Sequence, residues 1–78
     1  MTLRIISAQE VLFEGTAKAV TLPGYAGSFT VLRNHAPLIA VLTKGNVRYL
    51  DENDRENNLE IKGGLVDVEN NEVAVCVY

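Results

Sequence analysis

The chain has 78 residues, enough for one domain spanning 1–78 and too few for a second. Hydrophobic residues make up 47%, which excludes a disordered chain. The single cysteine, Cys76, excludes an internal disulfide framework and a zinc site built on cysteine pairs.

The net charge of −3 is unevenly spread. Residues 1–50 carry five basic and two acidic side chains, whereas residues 51–78 carry two basic and eight acidic ones, and no acid lies between Gly15 and Leu50. Such polarity reads either as ordinary solvated faces or as a surface that meets a charged partner at one end.

At the N-terminus, MTLRIISAQE lacks a basic region followed by a long apolar stretch, so no signal peptide is expected. The longest purely apolar run, Ala36 to Leu42, is far short of the roughly 18–20 residues a membrane-spanning helix needs. A soluble protein of a reducing compartment is expected, reaching a membrane only through a partner.

Further along, the pattern is β throughout. Val47 and Tyr49 alternate with Asn46 and Arg48, Leu59 and Ile61 with Glu60 and Lys62, and Val66 and Val68 flank Asp67. Val73, Val75 and Val77 alternate with Glu72, Ala74 and Cys76. Turn signals fall at Glu14-Gly15, Pro23-Gly24, Lys44-Gly45, Gly63-Gly64 and Asn70-Asn71, and DENDRENN over 51–58 reads as an exposed hairpin loop. Short strands, frequent turns and no convincing helix predict an all-β fold, a two-sheet antiparallel β-sandwich of about ten short strands.

The residues that could carry chemistry do not assemble into a site. His35, the only histidine, has no acid or nucleophile near it in sequence and no His or Cys companions at ligand spacing. It reads as a turn histidine bonded to neighbouring backbone. Ser7, Ser28 and Cys76 sit in no nucleophile-elbow pattern. Gly24 and Gly27 are followed by neither the lysine nor the helix of a phosphate loop. Asp51, Glu52 and Asp54 do not have calcium-loop spacing. No catalytic residue, metal or cofactor is expected.

The most distinctive stretch is Leu22 to Leu42, LPGYAGSFTVLRNHAPLIAVL, in which His35-Ala36-Pro37 forms an ordered turn entering an apolar strand. Gly27 to Leu38 resembles the glycine-bearing loop, short strand and His-Ala-Pro-Leu of the epsilon subunit of F-type ATP synthases (delta in mitochondria). The likeness runs end to end. Ile6-Ser7-Ala8 and Phe13-Glu14-Gly15 look like that family's first hairpin, and Lys44-Gly45 with Val47-Arg48 like its next turn. Ile61 to Val68 looks like its Gly-Gly turn and strand, and Asn71-Glu72-Val73 like its last hairpin. Where many members have Gly-Val and a proline before the histidine motif, this chain has Thr30-Val31 and Arg33.

The resemblance implies the β-sandwich domain of a non-catalytic central-stalk subunit, without the family's C-terminal helical hairpin. It implies one sheet face against gamma and a loop-rich end against the c-ring, with Ser7, Gly24, Gly27, Ser28, Arg33, Asn34 and His35 as interface residues. It also implies a peripheral position on the cytoplasmic face of a bacterial inner membrane, or its mitochondrial or thylakoid equivalent. The alternative reading is a small β-barrel binding single-stranded nucleic acid through Lys18, Arg33, Lys44 and Arg48, with Tyr25, Phe29 and Tyr49 as stacking platforms. The negative net charge and the absence of an RNP-like strand weigh against it.

Overall fold

The computed structural model describes residues 1–78 and contains strands and turns but no helix. In chain order the strands are β1 (Thr2–Ile6), β2 (Val11–Gly24), β3 (Gly27–Leu32), β4 (Leu38–Leu42), β5 (Gly45–Asp51), β6 (Glu56–Ile61), β7 (Gly64–Glu69) and β8 (Glu72–Val77). There are eight rather than about ten, because Val11–Gly24 is one strand of 14 residues.

Glu14-Gly15 is therefore not a turn, since Gly15 sits mid-strand opposite Leu3. The chain reverses earlier. The Ser7 backbone N–H donates to the Glu10 carbonyl at 2.9 Å, and the Ser7 hydroxyl accepts the N–H groups of Gln9 and Glu10 at 3.3 and 3.2 Å. A serine that satisfies the backbone in this way makes a turn without glycine. The acidic loop is also shorter than expected, because Glu56, Asn57 and Asn58 belong to β6.

The long β2 is shared by two layers. Its first half pairs with β1, continuing through β8 and β7 to β4, and its second half pairs with β3 on one edge and β5, then β6, on the other. A bulge between Ala17 and Ala19 marks the passage, as bulges do where a strand bends between layers. All pairings are antiparallel except β1 with β8, which is parallel. That departs from the purely antiparallel expectation, because β1 enters between β2 and the last strand and runs with the latter.

The inward positions form one core. Leu3, Ile5, Val20, Leu22, Val31, Val47, Val66 and Val75 are fully buried, and no polar side chain is. In β7 and β8 burial alternates residue by residue, matching the period-two pattern. Asn70 and Asn71, with φ of 50° and 60°, make the expected tight turn between them. At the other end of β7, a side chain at Gly64 would run into the Cys76 carbonyl, so only glycine lets the two strands close there.

Candidate functional site

The register of the strands separates the expected interface residues into two groups. β3 starts at Gly27 and ends at Leu32, and its six residues span roughly 17 Å at about 3.3 Å per residue. Gly24 pairs with Leu42, Leu42 with Gly64 and Gly64 with Val77. Gly24, Gly27 and Ser28 thus lie at the end of the sandwich where β8 finishes. Ser7 lies there too, since Ile6 pairs with Cys76. Leu38 instead pairs with Val68, and Val68 with Val73, which places Arg33, Asn34 and His35 at the end where β8 begins. The single loop-rich end expected from sequence is two opposite ends, because an extended strand between them carries the chain across the molecule.

The corner from Leu32 to Leu38 is compact. Asn34 takes φ 59°, the His35 N–H donates to the Leu32 carbonyl at 3.1 Å, and His35 Nδ1 lies 2.7 Å from the Ala36 carbonyl oxygen. His35 is thus a turn histidine. The Asn34 N–H donates across to Asn71 Oδ1 at 2.9 Å. Arg33 is exposed beside this corner. Near it, Lys18 Nζ holds Asp54 Oδ1 at 2.7 Å, and this bond is the main reason that the Lys18 pKa is raised.

At the opposite end, Tyr25 and Ala26 form the turn. Gly27 has φ 134°, and a Cβ on Gly24 would lie 2.6 Å from the Gly27 carbonyl oxygen, so this hairpin requires both glycines. Tyr25 is 80% exposed. The Ser7 hydroxyl is already engaged in its own turn.

An apolar surface connects the strands of the β1–β8–β7–β4 layer. Val41 pairs with Leu65, Leu65 with Cys76, Cys76 with Ile6 and Ile6 with Val11, so these side chains form one row across the outer face. Val41, Leu65 and Val11 are about half exposed, and Ile39, on the neighbouring row, is 74% exposed. That second row continues Asp67, Ala74, Arg4 and Glu14, with Arg4 and Glu14 paired at 2.9 Å. Cys76, which alternates with the buried valines of β8, faces out on this row. The face had a signal that went unread: Leu38 to Leu42 is apolar at every position, the pattern of a strand covered on both sides.

The acidic hairpin is organised by Asp51. Its Oδ1 accepts the N–H groups of Asn53 and Arg55 at 2.9 and 3.0 Å, and its Oδ2 accepts the Asn57 amide at 3.1 Å. The backbone bond from Arg55 does most to hold its pKa below the ordinary value. Three of the residues in the nucleic-acid alternative are engaged within the chain. Lys18 and Arg48 face Asp54 and Glu56, and the Tyr49 ring packs 4.5 Å from Phe13, centroid to centroid.

Residues 1–78 match the family described as the ATP synthase delta/epsilon chain β-sandwich domain. The chain belongs to that family. A protein named ATP synthase epsilon chain from Chlorobaculum tepidum is 40% identical over 70 residues, covering 90% of this chain and 80% of that protein. One of the same name from Bordetella parapertussis is 38% identical over 71 residues, covering 91% and 51%. The chain therefore spans about half the length of several of the epsilon chains it matches. Among solved structures, a Euglena gracilis mitochondrial ATP synthase contains a chain that superposes with a TM-score of 0.90 at 21% identity, over 96% of this chain and 48% of that one. A Tetrahymena thermophila chain, from a structure of the central stalk and c-ring, reaches 0.81 at 13% identity, over 97% and 61%. At these identities the structures establish the delta/epsilon-type fold and nothing finer.

Proposed function

We propose that this epsilon-type sandwich is a non-catalytic central-stalk part of a proton-translocating F-type ATP synthase, joining gamma to the c-ring at the membrane surface. The observation that carries this reading is the exposed row Val41, Leu65, Cys76, Ile6 and Val11 on a molecule whose own core is already closed. A contiguous apolar patch bordered by polar residues marks a protein-binding surface. Gamma is its proposed occupant. Ser7, Gly24, Gly27 and Ser28 lie at the same end as this row and Arg33, Asn34 and His35 at the other, and both groups are proposed contacts at the junction of gamma and the c-ring. The names of the relatives support an ATP synthase subunit, and one structural neighbour comes from a central stalk with its c-ring.

The role is mechanical. Paired strands around a close-packed core deform little, so a sandwich wedged between gamma and the ring stiffens their junction. The test is Leu65→Lys, assayed by capture on immobilised gamma. A lysine at the centre of the apolar row weakens binding at least tenfold, the scale of an interface anchor. Undiminished capture of a folded Leu65→Lys variant removes gamma from this face.

A further inference from the structure

We infer that the surface of gamma seated on the apolar row is basic along one side, and that Asp67, Glu69 and Glu72 are the carboxylates that receive it. The acid-rich composition of residues 51–78 resolves into two sets. In the β5–β6 hairpin the carboxylates are answered within the chain, Asp51 by backbone N–H groups and Asn57, Asp54 by Lys18, and Glu56 by Arg48. Asp67, Glu69 and Glu72, in β7 and β8, are exposed, and no ion pair engages them. They lie on the same outer face as the apolar row. The outward positions of β7 read Leu65, Asp67 and Glu69, so an apolar edge passes into an acidic one, and Glu69 faces Glu72 directly across the ladder. Side chains so opposed are roughly 5 Å apart, and a like-charge pair there destabilises the sheet. Arg4, the one basic side chain in these rows, is engaged by Glu14 at 2.9 Å. A second copy of the same face brings these acids no free cation. The surface that suits them carries lysine or arginine beside its apolar residues. Charge at the border of an interface acts mainly on the encounter rate and its salt dependence, whereas apolar anchors hold the complex once formed.

This inference deepens the gamma reading and rests on it, and the experiment separates the two. Asp67→Asn, Glu69→Gln and Glu72→Gln are combined in one variant, with Leu65→Lys as reference. Association with immobilised gamma, and dissociation from it, are timed from about 0.01 M salt, where the Debye length is about 30 Å, to about 0.15 M, where it is about 8 Å. At the lower salt the neutralised chain associates about tenfold more slowly than the parent, its rate loses most of its salt dependence, and its dissociation rate changes by less than about twofold. Glu69→Lys, which turns the like-charge pair into an opposite one, also slows association but raises the thermal midpoint of the chain. Association as fast as the parent's in the neutralised variant, when Leu65→Lys does weaken capture, overturns the inference and leaves gamma on the apolar row. A lower midpoint in Glu69→Lys overturns it too, because the carboxylates then serve the fold. If neither the neutralised variant nor Leu65→Lys changes capture, the gamma reading fails and the inference falls with it.

Discussion

The two outer faces of the sandwich are built over the same core and differ in the rows they present. On the β1–β8–β7–β4 side, the outward row runs Val41, Leu65, Cys76, Ile6 and Val11. On the β3–β2–β5–β6 side, one outward row runs Thr30, Thr21, Arg48 and Asn58. There the two threonine hydroxyls bond each other at 2.9 Å, and Arg48 reaches Glu56 at 3.9 Å. That row satisfies itself and water, whereas the row beside it, Leu32, Ala19 and Leu50, is apolar. Inward residues on both sides are apolar, aliphatic at the centre with Phe13, Phe29 and Tyr49 packed against them. The outward positions differ, and under the proposed function they are where partner choice would be encoded.

The largest effect expected comes from breaking the inward half of this contrast. Leu65 and Val66 are adjacent in β7, one half-exposed on the outer row and one fully buried. Val66→Ala removes methyl groups from a closed core and costs about 1–3 kcal/mol of stability, between the usual costs of smaller and larger truncations. Leu65→Ala changes stability by no more than about 0.5 kcal/mol. Chemical denaturation of the two variants checks this, and similar losses at both positions would mean that Leu65 belongs to the core rather than to an interface.

Next in size is the charge at the corner between Leu32 and Leu38. Arg33 is exposed, and no salt bridge engages it. Arg33→Glu is expected to weaken assembly with the membrane sector, read as reduced proton pumping in reconstituted vesicles, with the thermal midpoint of the isolated chain nearly unchanged. Unchanged pumping takes Arg33 out of the interface, and a large drop in the midpoint makes it a structural residue.

The fold was largely legible because the β signal is local. Val73, Val75 and Val77 announce their face by period two, and Asn70-Asn71 announces its hairpin by residues that accept positive φ. Strand number was less legible. Glu14-Gly15 looks like a turn, but the reversal is made by the Ser7 hydroxyl, a signal that is weak in sequence and strong in geometry. The candidate surface was legible as residues but not as an arrangement. Gly24 to Ser28 and Arg33 to His35 are close along the chain, and the extension of β3 sends them to opposite ends. The apolar row was hidden for the same reason, since its members come from five strands and only register aligns them. The Asn34–Asn71 bond spans 37 positions, and no local pattern reports it.

The smallest effect expected sharpens the contrast at the polar layer, where the hairpin between β5 and β6 depends on one carboxylate. Asp51 accepts three hydrogen bonds, two from backbone N–H groups and one from Asn57, and these favour its charged form. Its pKa in the folded chain is therefore below the ordinary 3.8. The unfolded chain binds the proton first as pH falls, so the stabilisation from Asp51 is complete above the unfolded pKa and is lost as pH drops through the lower folded value. Asp51→Ala removes it. Thermal midpoints of the two chains should differ by a constant amount at neutral pH, begin to converge near the unfolded pKa of about 4, and meet only below the lower folded value, where the carboxylate is protonated in both states of the parent. The difference should be small, because the hairpin is exposed and solvent competes for each bond. A gap that closes near neutral pH points to a different titrating group. One that persists unchanged in strong acid means that the side chain supports the turn by packing and not by its charge.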